Sequence, residues 1–475
     1  MTAPLWTLGA AALGRAYRHG ELSPTEVLQA HLQRLEMVHP QVNAMAWVDA
    51  EGAQAAAEAS ATRWRQGRPL SALDGIPITV KDNIPVAGLP CRWGSRVYED
   101  HVPSRDESPV VRLRAAGAVI MGKTAVPEFT LHGYTVSPLT GITRNPWDPA
   151  LTPGGSSGGA VAALAAGIGA LAIGTDGGGS IRRPSGFTGL YGFKPGLGTV
   201  PRADGLPELL PEMEVIGPIA RSATDLALAM EVIGGEQLGD WHTSAAPAPL
   251  RIGCWRHIAG SPVDADVLAH LDAAADRLRA LGHVVDTVEA PVEVQTFNRQ
   301  AWPVISSNGL AKVLCDRPDA GALLGPDLAA MLARGQALSD QDLFDARAVV
   351  AQLRAALDGV WRHYDLILSP TSACLPWPAD QSHPGEIAGQ SVDGRGHAVF
   401  TAFANALGLP AIALPAGLAG RLPVGVQLVA PSGGDATLVA LALQWEGAAQ
   451  ATCDALFSPA VSEFWPLSPA WSQSC

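Results

Sequence analysis

The chain has 475 residues and a formal net charge of −13, with 47% hydrophobic residues against 16% charged. That balance supplies a sizeable core and excludes a disordered polymer, and the acidic excess argues against nucleic acid or an anionic membrane as partner. Six scattered cysteines (Cys91, Cys254, Cys315, Cys374, Cys453, Cys475) without a CxxC pair point to a reducing, cytoplasmic setting and suggest no zinc site.

No positive region precedes the short apolar run of MTAPLWTLGAAALGRAYRHG, so a signal peptide is not expected. Ser23-Pro24-Thr25-Glu26 is a helix start, with Ser at the N-cap, Pro at the first helical position and Glu three residues after the cap. This helix is expected to end near Val38, ahead of Pro40, and an alanine-rich one to cover 53–66. Residues 75–80, GIPITV, read as a short buried strand that delivers Lys81 at its end. A helix over 108–117 and a strand over 118–121 follow, and 145–149, NPWDP, is a rigid turn. Then 160–167 reads as a helix and 170–173 as a strand entering a glycine cluster. The apolar run 158–174 that contains them is 17 residues, short for a membrane span.

Further on, strands are expected at 250–254, 283–288, 365–368, 411–414 and 424–429, and helices at 264–281 and 435–446. Residues 292–345 read as irregular and only partly helical. Strands alternating with helices predict an α/β fold, a sheet covered by helices on both faces, and one domain over 1–475.

Residues 154–184, GGSSGGAVAALAAGIGALAIGTDGGGSIRRP, hold two serine clusters set among glycines: Ser156 and Ser157, then Ser180 after Gly177, Gly178 and Gly179. Consecutive glycines can turn several N–H groups toward one point, as an oxyanion hole requires. A serine hydroxyl becomes a nucleophile only when a base takes its proton. Of the 32 basic residues only four are lysines (Lys81, Lys123, Lys194, Lys312). Arginine stays protonated at neutral pH, whereas a buried lysine can lose its proton. That leaves few lysines to consider as the base: Lys81, delivered at a strand end, beside Lys123, Lys194 and Lys312.

Three competing motifs fail on context. Residues 167–172 fit GxGxxA but follow a helix instead of opening one. Residues 154–158 fit the GxSxG elbow, which must follow a strand directly, yet Pro146, Pro149 and Pro153 precede it, and His397 as its triad partner has no supporting pattern. Cys91, ten residues after Lys81, reads as a small buried apolar residue. No HxxxH or HxH spacing implies a metal, and no cofactor motif stands.

The remaining motifs resemble the amidase signature hydrolases: GIPITVKDNI (75–84), GKTAVPEF (122–129), NPWDP (145–149), PGGSSGG (153–159), GTDGGGSIRRP (174–184), GLYGFKP (189–195), GPIARSATD (217–225), NALGLPAIALPAG (405–417) and LPVGVQLVAP (422–431). The likeness spans nearly the whole chain, and the 24-residue gap between Ser156 and Ser180 is specific to it. It implies a single large domain with a central mixed β-sheet, a signature core at about 70–225, and a pocket lined by loops around 126–138 and by a variable region at about 292–345.

The resemblance further implies Ser180 as nucleophile, Ser156 on a cis peptide as the bridging serine, and Lys81 as base. The N–H groups of Gly177, Gly178, Gly179 and Ser180 would form the oxyanion hole, supported by Ser157, Asp176 and Arg182. The implied substrate is a small amide, with carbamates, anilides and esters as alternatives, and a homodimer is left open. A further alternative is the glutaminase subunit of a tRNA-amidating complex. Two departures stand out. Ala125 replaces the family's usual asparagine, and Arg183 follows Arg182 where many members carry a smaller or apolar residue, so Arg183 is a candidate ligand for a substrate carboxylate.

Overall fold

The computed structural model describes residues 4–234, 241–243 and 247–448; Cys453 and Cys475 lie outside them. Eleven of the described strands join in one sheet: β1 (Met45–Val48), β2 (Pro77–Lys81), β3 (Val119–Thr124), β4 (Leu171–Asp176), β5 (Tyr191–Lys194), β6 (Val215–Ala220), β7 (Arg251–Cys254), β8 (Val284–Thr287), β9 (Leu366–Pro370), β10 (Ala411–Ala419) and β11 (Leu422–Val429). Their order in space is β1-β3-β2-β4-β6-β5-β10-β11-β9-β7-β8. Parallel pairings run through β3-β2-β4 and through β9-β7-β8, and antiparallel ones join the rest, so the sheet is mixed as expected.

Strand side chains alternate between faces with period 2, and here each face meets its own helices. Ile78, Val80, Ile120, Leu171, Ile173, Leu366 and Leu368 pack into one core with Leu226, Leu271 and Leu438 from helices. On the other face, Val119 and Met121 pack on Leu28 and Leu35, Ala172 and Ile219 on Val161 and Leu164, and Ile367 on Phe403. Both faces of the strands are apolar, the pattern of a sheet buried on two sides.

Several boundaries move. The helix capped by Ser23, with its reciprocal Glu26 bond, runs Pro24–Val42 straight through Pro40. In the last turn that proline forgoes a single main-chain bond, and continuing the helix buries Leu35, Val38 and Val42 along one stripe. β1, β5 and β6 are additions to the expected strands; in the last two, Gly192, Gly217 and Pro218 look like breakers in the sequence. Gly217 lies against the Phe193 carbonyl, where a side chain has no room.

The largest correction concerns 292–345, which is mostly helical: Val292–Thr296, a π-helical turn Phe297–Ala301, Trp302–Val313, Ala320–Leu323, Pro326–Gln336 and the start of Asp340–Trp361. Pro303 and Pro326 look like interruptions, yet Pro326 sits in the first turn of its helix, where proline costs no bond, and Pro303 follows directly on the π-helical turn inside one continuous helical run. These helices bury Phe297, Trp302, Leu310, Leu328, Leu353 and Leu357 in a shared core with Trp255 and Phe400. Among the described residues no helix is long and apolar enough to cross a membrane.

Candidate active site

β2 ends on Lys81, and its register with β4, Thr79 against Ala172 and Val80 against Ile173, carries Thr175 and Asp176 up beside it. The Lys81 amine is fully buried and lies 2.9 Å from Ser156 Oγ, 2.7 Å from Thr175 Oγ1 and 3.1 Å from the Thr175 carbonyl, within hydrogen-bond reach of all three. Burial pushes its pKa down from 10.5 to about 7, against the pull of the Glu214 and Asp176 carboxylates. A neutral amine has two N–H groups and one lone pair, so it can donate twice to Thr175 and accept from the Ser156 hydroxyl.

Ser156 follows a cis peptide bond from Gly155, in the run that opens the helix Gly158–Ala165. Ser157 N–H donates to the Ser180 carbonyl at 3.1 Å, stapling this loop to the second serine cluster, and Ser157 Oγ donates to the Thr175 carbonyl at 3.2 Å. Ser156 and Ser180 both line one cavity, together with Thr175, Gly177 and Gly178.

Asp176 shapes the glycine turn after β4. Its Oδ1 accepts from Gly179 N–H at 2.6 Å, its Oδ2 from Ile181 N–H at 3.0 Å, and the Arg182 guanidinium reaches both oxygens at 3.0 and 3.1 Å. Asn405 Nδ2 adds a bond at 3.0 Å. Burial alone would raise this carboxyl's pKa, but the charge and hydrogen bonds of Arg182 outweigh it and hold the group well below the usual range. Of the amides expected to serve as oxyanion donors, that of Gly179 is thus engaged by Asp176, and Gly179 is not on the cavity wall. The N–H groups of Gly177, Gly178 and Ser180 make no hydrogen bond among the described residues, and all three residues line the cavity.

Arg183 does reach the cavity wall, but its guanidinium is largely occupied by the main chain. It donates to the Gly178 carbonyl, to Thr401 Oγ1 at 2.9 Å and to the Gly155 carbonyl at 3.4 Å, bridging the two serine loops.

The rejected candidates lie elsewhere. Cys91 Sγ donates to the Asp82 carbonyl at 2.9 Å, and burial raises its thiol pKa to about 12. His397 is buried against Trp377, with ring centroids 4.7 Å apart, and is not on the wall of the serine cavity. Lys123 donates to the carbonyls of Asp82 (3.2 Å) and Ile84 (2.7 Å), holding the loop after Lys81, while Lys194 donates to the Pro195 carbonyl at 3.0 Å and Lys312 is exposed.

The cavity is completed by Thr130, Leu131, His132, Leu209, Leu210, Glu214, Trp302 and Arg395. The loop at 130–132 and Trp302 fall in the regions expected to line it; Leu209, Leu210, Glu214 and Arg395 do not. Thr175 is a site residue that the sequence reading misses, although it sits inside GTDGGGS, and so is Asn83, whose Nδ2 donates to Thr175 Oγ1 at 3.2 Å. Glu214 and Arg395 belong to no motif, and nothing in the sequence marks them.

Comparison with known proteins supplies an independent line. A family model described as Amidase matches residues 26–439. A glutamyl-tRNA(Gln) amidotransferase subunit of Salinispora arenicola is 34% identical over 94% of this chain and 98% of its own length. The indoleacetamide hydrolase of Bradyrhizobium diazoefficiens is 33% identical over 90% and 83% respectively. A crystal structure of an amidase superposes with a TM-score of 0.84 at 31% identity, covering 93% of this chain and 100% of that one.

Proposed function

This chain belongs to the amidase family of C–N hydrolases, and from that premise we propose that it splits a small amide into carboxylate and amine through an acyl-enzyme on Ser180. Neutral Lys81 takes the proton of Ser156 while Ser156 takes that of Ser180, whose oxygen attacks the carbonyl carbon. The N–H groups of Gly177, Gly178 and Ser180 hold the oxyanion, an arrangement in which one donor is worth about 10²–10³ in rate. Collapse of the tetrahedral adduct breaks the C–N bond, and Ser156 returns the proton to the departing amine. Water then attacks the ester by the same relay and releases the acid.

The observation that carries this reading is a buried amine of pKa about 7 standing 2.9 Å from Ser156, on a cavity that also holds Ser180. A panel of aliphatic amides, anilides, carbamates and esters, run on the parent and on Ser180→Ala, tests it. The alanine variant is expected to lose at least about 10³-fold in kcat, and the parent's Ser180 to be labelled by a fluorophosphonate. An alanine variant as fast as the parent overturns the assignment.

A second reading, favoured by the likeness to the Salinispora arenicola protein, is a glutaminase that works within a tRNA-amidating complex. Copurification with a second protein that stimulates glutamine hydrolysis would establish it. A chain that hydrolyses small amides at full rate alone excludes it.

A further inference from the structure

Arg395 lines three adjoining cavities: the slot containing Ser156 and Ser180, a wider chamber of about 290 Å³ walled by His132, His383 and His397, and a third beside Asn298 and Arg299. Its guanidinium sits over the Trp302 ring, with Cζ 4.4 Å from the centroid. The Nε and Nη2 atoms are buried and have no hydrogen-bond partner. These two form the side-on edge of a guanidinium, whose donors are spaced to meet both oxygens of one carboxylate.

Among the described residues no acidic side chain forms an ion pair with Arg395. Asp393, the carboxylate acting on Arg395 through space, accepts from that residue's own main-chain N–H at 2.8 Å. Glu214 takes a bond from Asn83 at 3.3 Å, and neither it nor Asp327, across the chamber, pairs with Arg395. A second cation, Arg183, stands on the same slot with its Nε unpartnered, and the two guanidiniums repel each other. His397, on the chamber wall, has two buried ring nitrogens without partners. Buried donors left unsatisfied are costly. An anion drawn against Arg395 from the cavity satisfies them and offsets the two like charges.

We propose that Arg395 anchors a carboxylate on the substrate, making the enzyme selective for amides whose non-reacting end is anionic. The inference rests on the amide-hydrolase reading above and names its substrate class. The slot beside Ser180 is a small cavity of about 20 Å³, so the reacting end is slim, and Arg395 stands on the wall that the slot shares with the chamber. Half-amides of short dicarboxylic acids have this shape.

The test compares kcat/KM for malonamate, succinamate and glutaramate with their neutral diamides. The parent is expected to prefer the best half-amide about 100-fold, the scale of a buried charge-assisted pair. In Arg395→Gln that ratio collapses toward one, and Arg395→Lys, which keeps the charge but loses the fork, falls between. Calorimetric titration with succinate on the Ser180→Ala protein reads the anion site without turnover, and binding there should disappear when Arg395→Gln is added. A parent ratio near one together with no succinate binding overturns the proposal, as does a ratio that survives Arg395→Gln. Failure of every amide to react, with succinate still bound through Arg395, would count against the hydrolase reading alone.

Discussion

At the scale of single residues, the proposed mechanism makes the protonation state of Lys81 govern the chemistry. Its amine acts only when neutral, and burial has brought its pKa to about 7, so kcat/KM should rise with pH through an inflection near 7 and fall on the acid side as the base is protonated. Thr175 Oγ1 accepts one of the amine's hydrogen bonds, at 2.7 Å. An accepted bond favours the charged form, and Thr175→Val should therefore move the inflection to lower pH. Lys194 supplies the control, since its pKa is also lowered to about 7, by burial first and Arg182 second, yet it donates to the Pro195 carbonyl and is not on the cavity wall. Lys194→Met should leave the inflection in place. Four lysines in 475 residues make Lys81 easy to single out as a candidate. Its titration is not legible in the sequence, because desolvation comes from neighbours distant in the chain, such as Thr175 and Ser156.

Among the elements, the glycine turn and the small-residue helix show where local pattern suffices and where it fails. The helix Gly158–Ala165 is buried on every side, which its Gly/Ala composition announces. It packs so closely that Gly159 meets the main chain of Ala125 and Ala44, with Gly159 N–H donating to the Ala125 carbonyl at 3.1 Å. Ala125, the position that departs from the family's asparagine, is thus fully buried against this helix. Gly159→Val should destabilise by about 1–3 kcal/mol through overpacking, measured by urea denaturation, and should lower kcat by shifting the loop of Ser156. The turn Gly177–Ser180 is legible as a cluster of N–H groups, but the claim of Asp176 on Gly179 is not, since a carboxylate's choice of donor depends on the fold of the loop.

Asp176→Asn leaves Arg182 buried without its counter-charge and is expected to cost about 3–5 kcal/mol. The sign with pH follows from a carboxyl held well below its unfolded value of about 3.9. Its stabilisation is complete above that value and is lost as pH falls further, so the variant's stability should decline less steeply than the parent's below about pH 4. Helices across 292–345 escape a sequence reading for a different reason: Pro326 opens a helix and Pro303 follows a π-helical turn inside one, and a proline looks the same in a sequence whether a helix starts at it, carries it or breaks.

Across the whole molecule, the two halves of the chain build opposite sides of one sheet. Strands β1–β6 lie on one side and β7–β11 on the other, and they meet where Tyr191–Lys194 pairs with the start of β10 through Lys194 and Ala411, Phe193 and Ile412, Gly192 and Ala413. Alternating strands and helices make the class readable, but not this order, because nothing local records which strand a crossover will reach. The seam is reinforced at the candidate site. The Arg182 guanidinium, rooted in the first half, donates to the Thr401 carbonyl at 3.1 and 3.2 Å, to Gln427 Oε1 at 2.9 Å and to Asn405 Oδ1 at 2.6 Å, all in the second half.

One guanidinium therefore ties the turn bearing Ser180 to the far side of the sheet, through Asp176 on its own half. Removing the partners across the seam, in Asn405→Ala combined with Gln427→Ala, should weaken the coupling between the halves, and it also removes the Asn405 bonds to Asp176 while Lys81, Ser156 and Ser180 themselves are unchanged. Each lost bond to this buried charge is worth about 1.5–3 kcal/mol. The expected result by calorimetry is a lower Tm, with a transition that broadens or splits as the halves unfold more independently. A shift in Tm with the transition still sharp and single would mean that the apolar packing across β5 and β10 suffices to couple them.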